Sequence, residues 1–250
     1  MEILSYFFNI LSMVFYGIVY FPQLKLIYKT KSSDNISIWM VVLWTQGDTL
    51  SLISSILMGL DISFLILGWY YLFLGSVMIS FVLYYSNLNF QFKNFFLIIG
   101  VIFIDILSCI LVNILIKTPE KQIGNILGWI TTTFYLSGRA AQIITMYKSK
   151  NSQGISMMMY GFTILGNSFY LISLLTYSLE PYYIQTVSPW IVLIVVTVLC
   201  DLLILFLCKL YENQHNQNIE NNQNIENNQN IENNQNIEYN KEYNQSVKIV

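Results

Sequence analysis

A polar segment that occurs twice constrains the folding of this chain more than any other feature. Residues 21–37 return as residues 140–156, 119 positions later and without a gap. At that offset Gln23 falls on Gln142, Tyr28 on Tyr147, Lys29 on Lys148 and Lys31 on Lys150. Ser33, Ile36 and Ser37 likewise meet Ser152, Ile155 and Ser156. The register continues beyond the segment. Gly47-Asp48-Thr49 meets Gly166-Asn167-Ser168, and Leu52-Ile53-Ser54 meets Leu171-Ile172-Ser173. The surrounding sequence is strongly apolar. A polar turn duplicated in such surroundings predicts two helical bundles of one ancestry facing a shared cavity.

Hydrophobic residues make up 55% of the chain and charged residues 10%, against roughly 25% charged in soluble domains. So few charges cannot cover a water-facing surface. About 20 residues cross the hydrocarbon core of a bilayer. Seven spans are therefore predicted, at about residues 4–24, 38–58, 63–85, 95–116, 124–147, 157–178 and 188–209. The expected fold is an all-α membrane protein whose seven transmembrane helices form a 3+1+3 parallel-repeat arrangement. Residues 1–92 hold the first triple-helix bundle and 123–210 the second. Residues 93–122 supply an unrepeated linker helix, span 4, which restores the orientation of the second bundle. Parallel repeats of this kind are related by an axis along the membrane normal, with a solute site near the midplane between them.

The placement of charge sets the orientation. Lys25, Lys29, Lys31, Lys93, Lys148, Lys150 and Lys209 fall on one side of the predicted spans. By the positive-inside rule that side is cytosolic, which puts the N-terminus in the lumen or exterior and the C-terminus in the cytosol. The first apolar run leads straight into a span with no basic stretch before it, so no cleavable signal peptide is expected. Cys109, Cys200 and Cys208 lie within spans without metal or disulfide spacing and are expected to pack. The Asn35-Ile36-Ser37 sequon falls in a loop predicted to be cytosolic, away from glycosylation. Residues 211–250 form an Asn/Gln/Glu-rich tail, in which residues 216–238 cycle through a hexad with one isoleucine per unit. That composition buries too little to offset the entropy of ordering, so a disordered cytosolic tail is expected. His215 lies in it, so no histidine is left to carry a proton within the membrane.

Four ionisable residues lie deep in spans: Asp48, Asp105, Arg139 and Asp201. At a helix centre each costs ~2.5–3.5 kcal/mol on insertion scales, which makes each a substrate or coupling candidate. Asp48 matches Asn167 of the other repeat, so both are expected to face the shared cavity. Asp201 is too deep to reach the interface. Asp105 sits mid-way along the unrepeated span, where a polar clamp to another helix is an equal reading. Arg139 either extends toward the interface or pairs with an aspartate in the cavity, and the pairing is preferred.

Pro22 removes a backbone hydrogen bond and is expected to kink span 1, with Gln23 compensating for the loss. The pair makes a candidate hinge, although a static kink reads equally well. Ala141 and Gln142 occupy the matching positions of the second copy, where the fixed kink is absent. Most aromatic residues suit an interfacial belt or helix packing; Trp44 and Tyr170 lie at the level of Asp48 and Asn167. No nucleophile triad, phosphate-cradling loop, metal cluster or nucleic-acid patch occurs in the sequence. No enzyme, cofactor, metal or nucleic-acid partner is therefore expected.

Phe21-Pro22-Gln23 with its downstream Lys29–Ser33 run, and the degenerate Arg139-Ala140-Ala141-Gln142 copy, resemble the paired loops of the PQ-loop family. Trp44-Thr45-Gln46-Gly47-Asp48, Gly166-Asn167-Ser168-Phe169-Tyr170 and Ser188-Pro189-Trp190 with Thr197 and Asp201 are similar to its lysosomal and vacuolar basic amino-acid transporter branch. The resemblance covers residues 5–210 and none of the tail. It implies export of arginine and lysine from an acidic organelle to the cytosol by alternating access, in a lysosomal or vacuolar membrane. It also implies hinge roles for Pro22, Gln23 and Gln142, and makes Asp48, Asn167 and Asp201 matches to polar positions of the branch. Ala141 departs from the family proline, and no acidic residue stands near Gly75 where one is expected. Cystine or neutral-sugar carriage, or a ligand-binding receptor or scaffold with cytosolic partners at its loops or tail, remain open beside the cationic amino-acid reading.

Overall fold

The computed structural model describes residues 2–59, 62–86, 92–115 and 121–247. Their secondary structure is helical throughout: α1 (Glu2–Ile18), α2 (Phe21–Thr30), α3 (Ile38–Met58), α4 (Ile62–Tyr84), α5 (Phe92–Leu115), α6 (Lys121–Ser149), α7 (Met157–Tyr177) and α8 (Pro181–Val247). Contacts divide the chain into a unit ending at Cys208 and a second unit from Lys209. In the second, the backbone is helical through Val247 and the side chains of residues 212–219 are exposed. The composition predicts disorder there, and the structure differs. A helix closes its hydrogen bonds internally, so its backbone needs no apolar face to be satisfied.

Within the first unit, α1 packs on α7 and α3 on α6, while α4 and α5 lie against α3. At the 119-residue offset α1 corresponds to α6 and α3 to α7, so each principal pair joins one helix from each repeat. The two largest helix contacts thus cross between the repeats, while α4 packs on α3 within the first. Phe15 stacks on Phe169, with ring centroids 5.6 Å apart, and Phe8 on Phe169 at 6.0 Å. On the other side Leu52, Leu72 and Cys109 form a buried cluster joining α3, α4 and α5.

Pro22 ends a helix rather than bending one. Its ring cannot continue the hydrogen-bond ladder of α1, and the chain turns at Val19 and Tyr20 before α2 restarts with the proline in its first two positions. The carbonyl of Gly17, left open by this break, accepts the Tyr70 hydroxyl. In the second repeat α6 runs unbroken through Ala141. Pro189 sits inside α8, and the Ser188 hydroxyl donates at 2.8 Å to the Gln185 carbonyl, to which the proline has no N–H to donate.

The duplicated turn folds the same way twice. α2 and α6 both end on a lysine in the left-handed region, Lys31 with φ 54° and Lys150 with φ 48°. Their N–H groups donate to Ile27 and Met146 at 2.8 and 2.9 Å. Ser37 and Ser156 then cap α3 and α7, each accepting the N–H three residues on at 3.4 Å. A side-chain acceptor at this position satisfies one of the donors a helix start leaves open.

Among the described residues, 5 helices are long and apolar enough to cross a membrane: Ile3–Thr30, Ile38–Met58, Leu65–Tyr84, Met157–Tyr177 and Pro181–Ile219. α6 is not among them, because Arg139 and its run of Thr, Ser and Gln dilute its hydropathy; the apolar stretch of α5 is described over Phe103–Val112. Large side chains such as Phe73, Phe103 and Phe206 are more than 60% exposed, as suits a surface that faces lipid.

Candidate functional site

A cavity of about 230 Å³ lies among α1, α3, α4, α6, α7 and α8. Its wall includes three of the residues singled out from sequence, Asp48, Asn167 and Arg139, together with Trp44 and Tyr170. It extends past Asn9, Ser12, Thr131 and Trp190 toward the N-terminal ends of α1, α6 and α8. Toward the lysine-rich turns its lining stops at Tyr20, Trp44 and Arg139.

Asp48 and Asn167 are each oriented by a tyrosine from the opposite repeat. The Tyr135 hydroxyl donates to Asp48 Oδ1 at 2.6 Å, and the Tyr16 hydroxyl donates to Asn167 Oδ1 at 2.6 Å. All four positions obey the 119-residue offset. The glycines before the two polar residues make the contact fit. A Cβ at Gly47 would stand 2.9 Å from the Tyr135 ring, and one at Gly166 would stand 2.9 Å from Tyr16. Sequence reasoning missed both tyrosines. Extending the repeat register upstream of the proline finds them, since Tyr16 falls on Tyr135.

Asp48 Oδ2 is buried without a hydrogen-bond partner, as are Trp44 Nε1, Tyr71 Oη, Thr131 Oγ1 and Thr197 Oγ1. All five residues line the cavity. Unsatisfied buried polar atoms are rare in native interiors, and all five here belong to side chains of one cavity's wall. The expected acidic residue near Gly75 has no room. A Cβ there would lie 2.9 Å from Thr45 Oγ1 and 3.2 Å from Asp48 Oδ2.

Arg139 pairs with an aspartate, and the partner is Asp201. Nε lies 3.0 Å from Oδ1 and Nη2 3.3 Å from Oδ2, a two-pronged ion pair of the kind arginine favours. Its guanidinium carbon sits 4.3 Å from the centroid of the Trp44 ring. Asp201 is fully buried and Arg139 only 5% exposed, so Arg139 does not extend to the interface. The offset positions in the first repeat are Tyr20 and Val82, so this ion pair has no repeat counterpart. Asp105 lies apart from the cavity lining, where the Gln46 side chain donates to its Oδ2 at 2.5 Å. It joins α5 to α3 as a clamp.

Gln23 and Gln142 form reciprocal links between the repeats. Gln23 Nε2 donates to the Gly154 carbonyl at 2.7 Å, and its Oε1 accepts from Ser156 N at 2.8 Å. Gln142 Nε2 donates to the Asn35 carbonyl at 3.0 Å, and its Oε1 accepts from Ser37 N at 2.8 Å. Both glutamines are 1% exposed. Gln23 thus does not repair the backbone opened by Pro22; it bonds the loop of the other repeat. Together the two glutamines close the lysine-rich end beyond the cavity floor.

Two helical repeats exchanged around a largely apolar cavity that carries Asp48, Asn167 and Arg139 in its wall, with membrane-length helices and a lipid-facing exterior, define a membrane protein of the small-solute transporter class. The PQ loop repeat pattern matches residues 4–64 and 123–183, so the chain carries two segments similar to the PQ loop repeat. The vacuolar lysine transporter YPQ1 of Saccharomyces cerevisiae is 23% identical over 75% of this chain and 86% of its own length. The human lysosomal amino acid transporter 1 homolog is 25% identical over 74% of each chain. Among solved structures, a eukaryotic SWEET transporter aligns with a TM-score of 0.53 at 12% identity, covering 85% of this chain and 98% of its own. That likeness establishes the fold. The curated relatives are transporters rather than enzymes.

Proposed function

We propose that this chain carries cationic amino acids, arginine and lysine, from a lysosomal or vacuolar lumen to the cytosol by alternating access. The observation that carries the reading is Asp48. Its carboxylate lines a cavity among membrane-length helices, with one oxygen held by Tyr135 and the other unpartnered. An acceptor of this kind in a low-dielectric wall favours a cationic donor over a neutral one. The names of the vacuolar and lysosomal relatives support the same substrate class and compartment.

The proposed membrane arrangement is seven spans in 3+1+3 order, with α1 and α2 together as the first. The lysine-rich turns then face the cytosol and the N-terminus the lumen. In that orientation the glutamine links close the cytosolic end, and the break between α1 and α2 gives the first repeat a flexible joint for opening it. Pro22 and Gln23 act at that joint; Ala141 and Gln142 act at its stiffer counterpart. Asn167 and Arg139 complete the polar wall around Asp48, Asp201 holds Arg139 from outside the lining, and Asp105 braces α3 through Gln46.

Radiolabelled arginine, lysine and cystine uptake into proteoliposomes of the purified chain tests the proposal. Saturable arginine and lysine uptake, reduced at least tenfold by Asp48→Asn, is the expected result. Cystine uptake alone would replace this substrate class with another. Saturable binding without flux would make the chain a receptor.

A further inference from the structure

We infer that Arg139 is the carboxylate-binding group of the cavity, so that the solute binds in one orientation, with its carboxylate on Arg139 and its cationic group on Asp48. The inference rests on the cationic amino-acid reading and gives the site a second, anionic requirement.

The wall between α3 and α6 is a ladder of antiparallel rungs. One rung is Asp48 with Tyr135; the next, four residues along each helix, is Trp44 with Arg139. Four residues advance a helix by ~6 Å, so the carboxylate and the guanidinium stand at different depths. The Arg139 rung is nearer the closed, lysine-rich end. A solute with charges at both ends therefore meets Asp48 at the shallower level and Arg139 at the deeper one.

Arg139 is prepared to receive an anion. Asp201 engages Nε and Nη2, which fixes the guanidinium and leaves Nη1 outside the ion pair. Trp44 covers one face of the group. Two further groups on the cavity wall, Trp44 Nε1 and Thr197 Oγ1, are buried with no hydrogen-bond partner. The guanidinium edge left by the ion pair is a charged donor, and a planar carboxylate is the anion that arginine matches best. Packing does not explain the arrangement. The first repeat builds the same two positions from Tyr20 and Val82, so the bundle needs no ion pair there.

The test uses the full chain in proteoliposomes, with agmatine and cadaverine, which are arginine and lysine without the carboxylate, as competitors of labelled arginine uptake. Each is expected to compete at least tenfold more weakly than the parent amino acid. Agmatine competing as well as arginine would overturn the inference while leaving the cationic reading standing. Absence of arginine and lysine uptake would overturn both. The double variant Arg139→Gln/Asp201→Asn avoids leaving a buried carboxylate unpaired. In it the advantage of arginine over agmatine is expected to fall to near parity, and retention of the full advantage would assign carboxylate recognition elsewhere. Should the double variant not be recovered folded, the wild-type competition decides the matter by itself.

Discussion

Tyr135 of the second repeat holds Asp48 of the first by a 2.6 Å hydrogen bond, and Tyr16 of the first holds Asn167 of the second by another of the same length. The two bonds are equivalent in geometry and unequal in charge. A bond to a carboxylate contributes ~1.5–3 kcal/mol and a neutral one ~0.5–1.5 kcal/mol. Tyr135→Phe is therefore expected to raise the KM for arginine about tenfold and Tyr16→Phe only severalfold. Concentration-dependent uptake with both variants measures the order, and equal effects would show that Asp48 takes no part in recognition.

Asp48 and Asp105 are both buried, yet only Asp48 lines the cavity. Asp48→Asn is expected to lower arginine uptake by tenfold or more with little change in Tm. Asp105→Asn weakens the clamp to Gln46 and is expected to cost ~1–2 kcal/mol of stability with transport per folded molecule maintained. Paired uptake and thermal-melting measurements separate the two. The reverse assignment of effects would place the cavity on the wrong face of α3.

Gly75 is expected to resist enlargement. A methyl group there meets Thr45 Oγ1 at 2.9 Å and Asp48 Oδ2 at 3.2 Å, and overpacking of this kind costs ~1–3 kcal/mol. Gly75→Ala should lower Tm and displace the Asp48 carboxylate, raising the KM. Gly17→Ala, with nothing within 4 Å of the added atom, is the control, and its Tm should stay within a degree or two of wild type.

The glutamine links give a symmetry test. Removing either side chain strands a buried backbone N–H and carbonyl, at ~1–3 kcal/mol per group. Gln23→Ala and Gln142→Ala are each expected to loosen the lysine-rich end, read as faster labelling of a cysteine placed at Ser37 or Ser156. Pro22→Leu is expected to slow turnover while leaving the amount of folded protein unchanged. Unaltered turnover would make the break between α1 and α2 a fixed bend.

The sequence made the repeat, the membrane class and the polar level of the cavity readable, because duplication and hydropathy are one-dimensional signals. Asp48 and Arg139 were recognisable through the cost of placing charged groups in lipid, and Asn167 through its repeat register with Asp48. Their partners were less so. Nothing in sequence spacing says that Arg139 meets Asp201 rather than Asp48, since that depends on how α8 lies against α6. Gln23 was expected to serve its own helix, and the cross-repeat bond it makes instead comes from the exchange of helices between repeats.

The cross-repeat bonding bears on how the protein is made. When synthesis has reached the end of α5, Tyr16, Gln23 and Asp48 already exist, but Asn167, Ser156 and Tyr135 do not. The half-made chain then holds three polar side chains in the bilayer with no mates, and Ser37 lacks the acceptor that Gln142 will bring. Such an intermediate cannot settle into a final state, and the earliest helices stay exchangeable until α6 and α7 insert. The cross-repeat hydrogen bonds can form only once α6 and α7 have been made. A nascent chain stalled before α6 should be recognised by membrane quality control as unfinished, however correct its sequence.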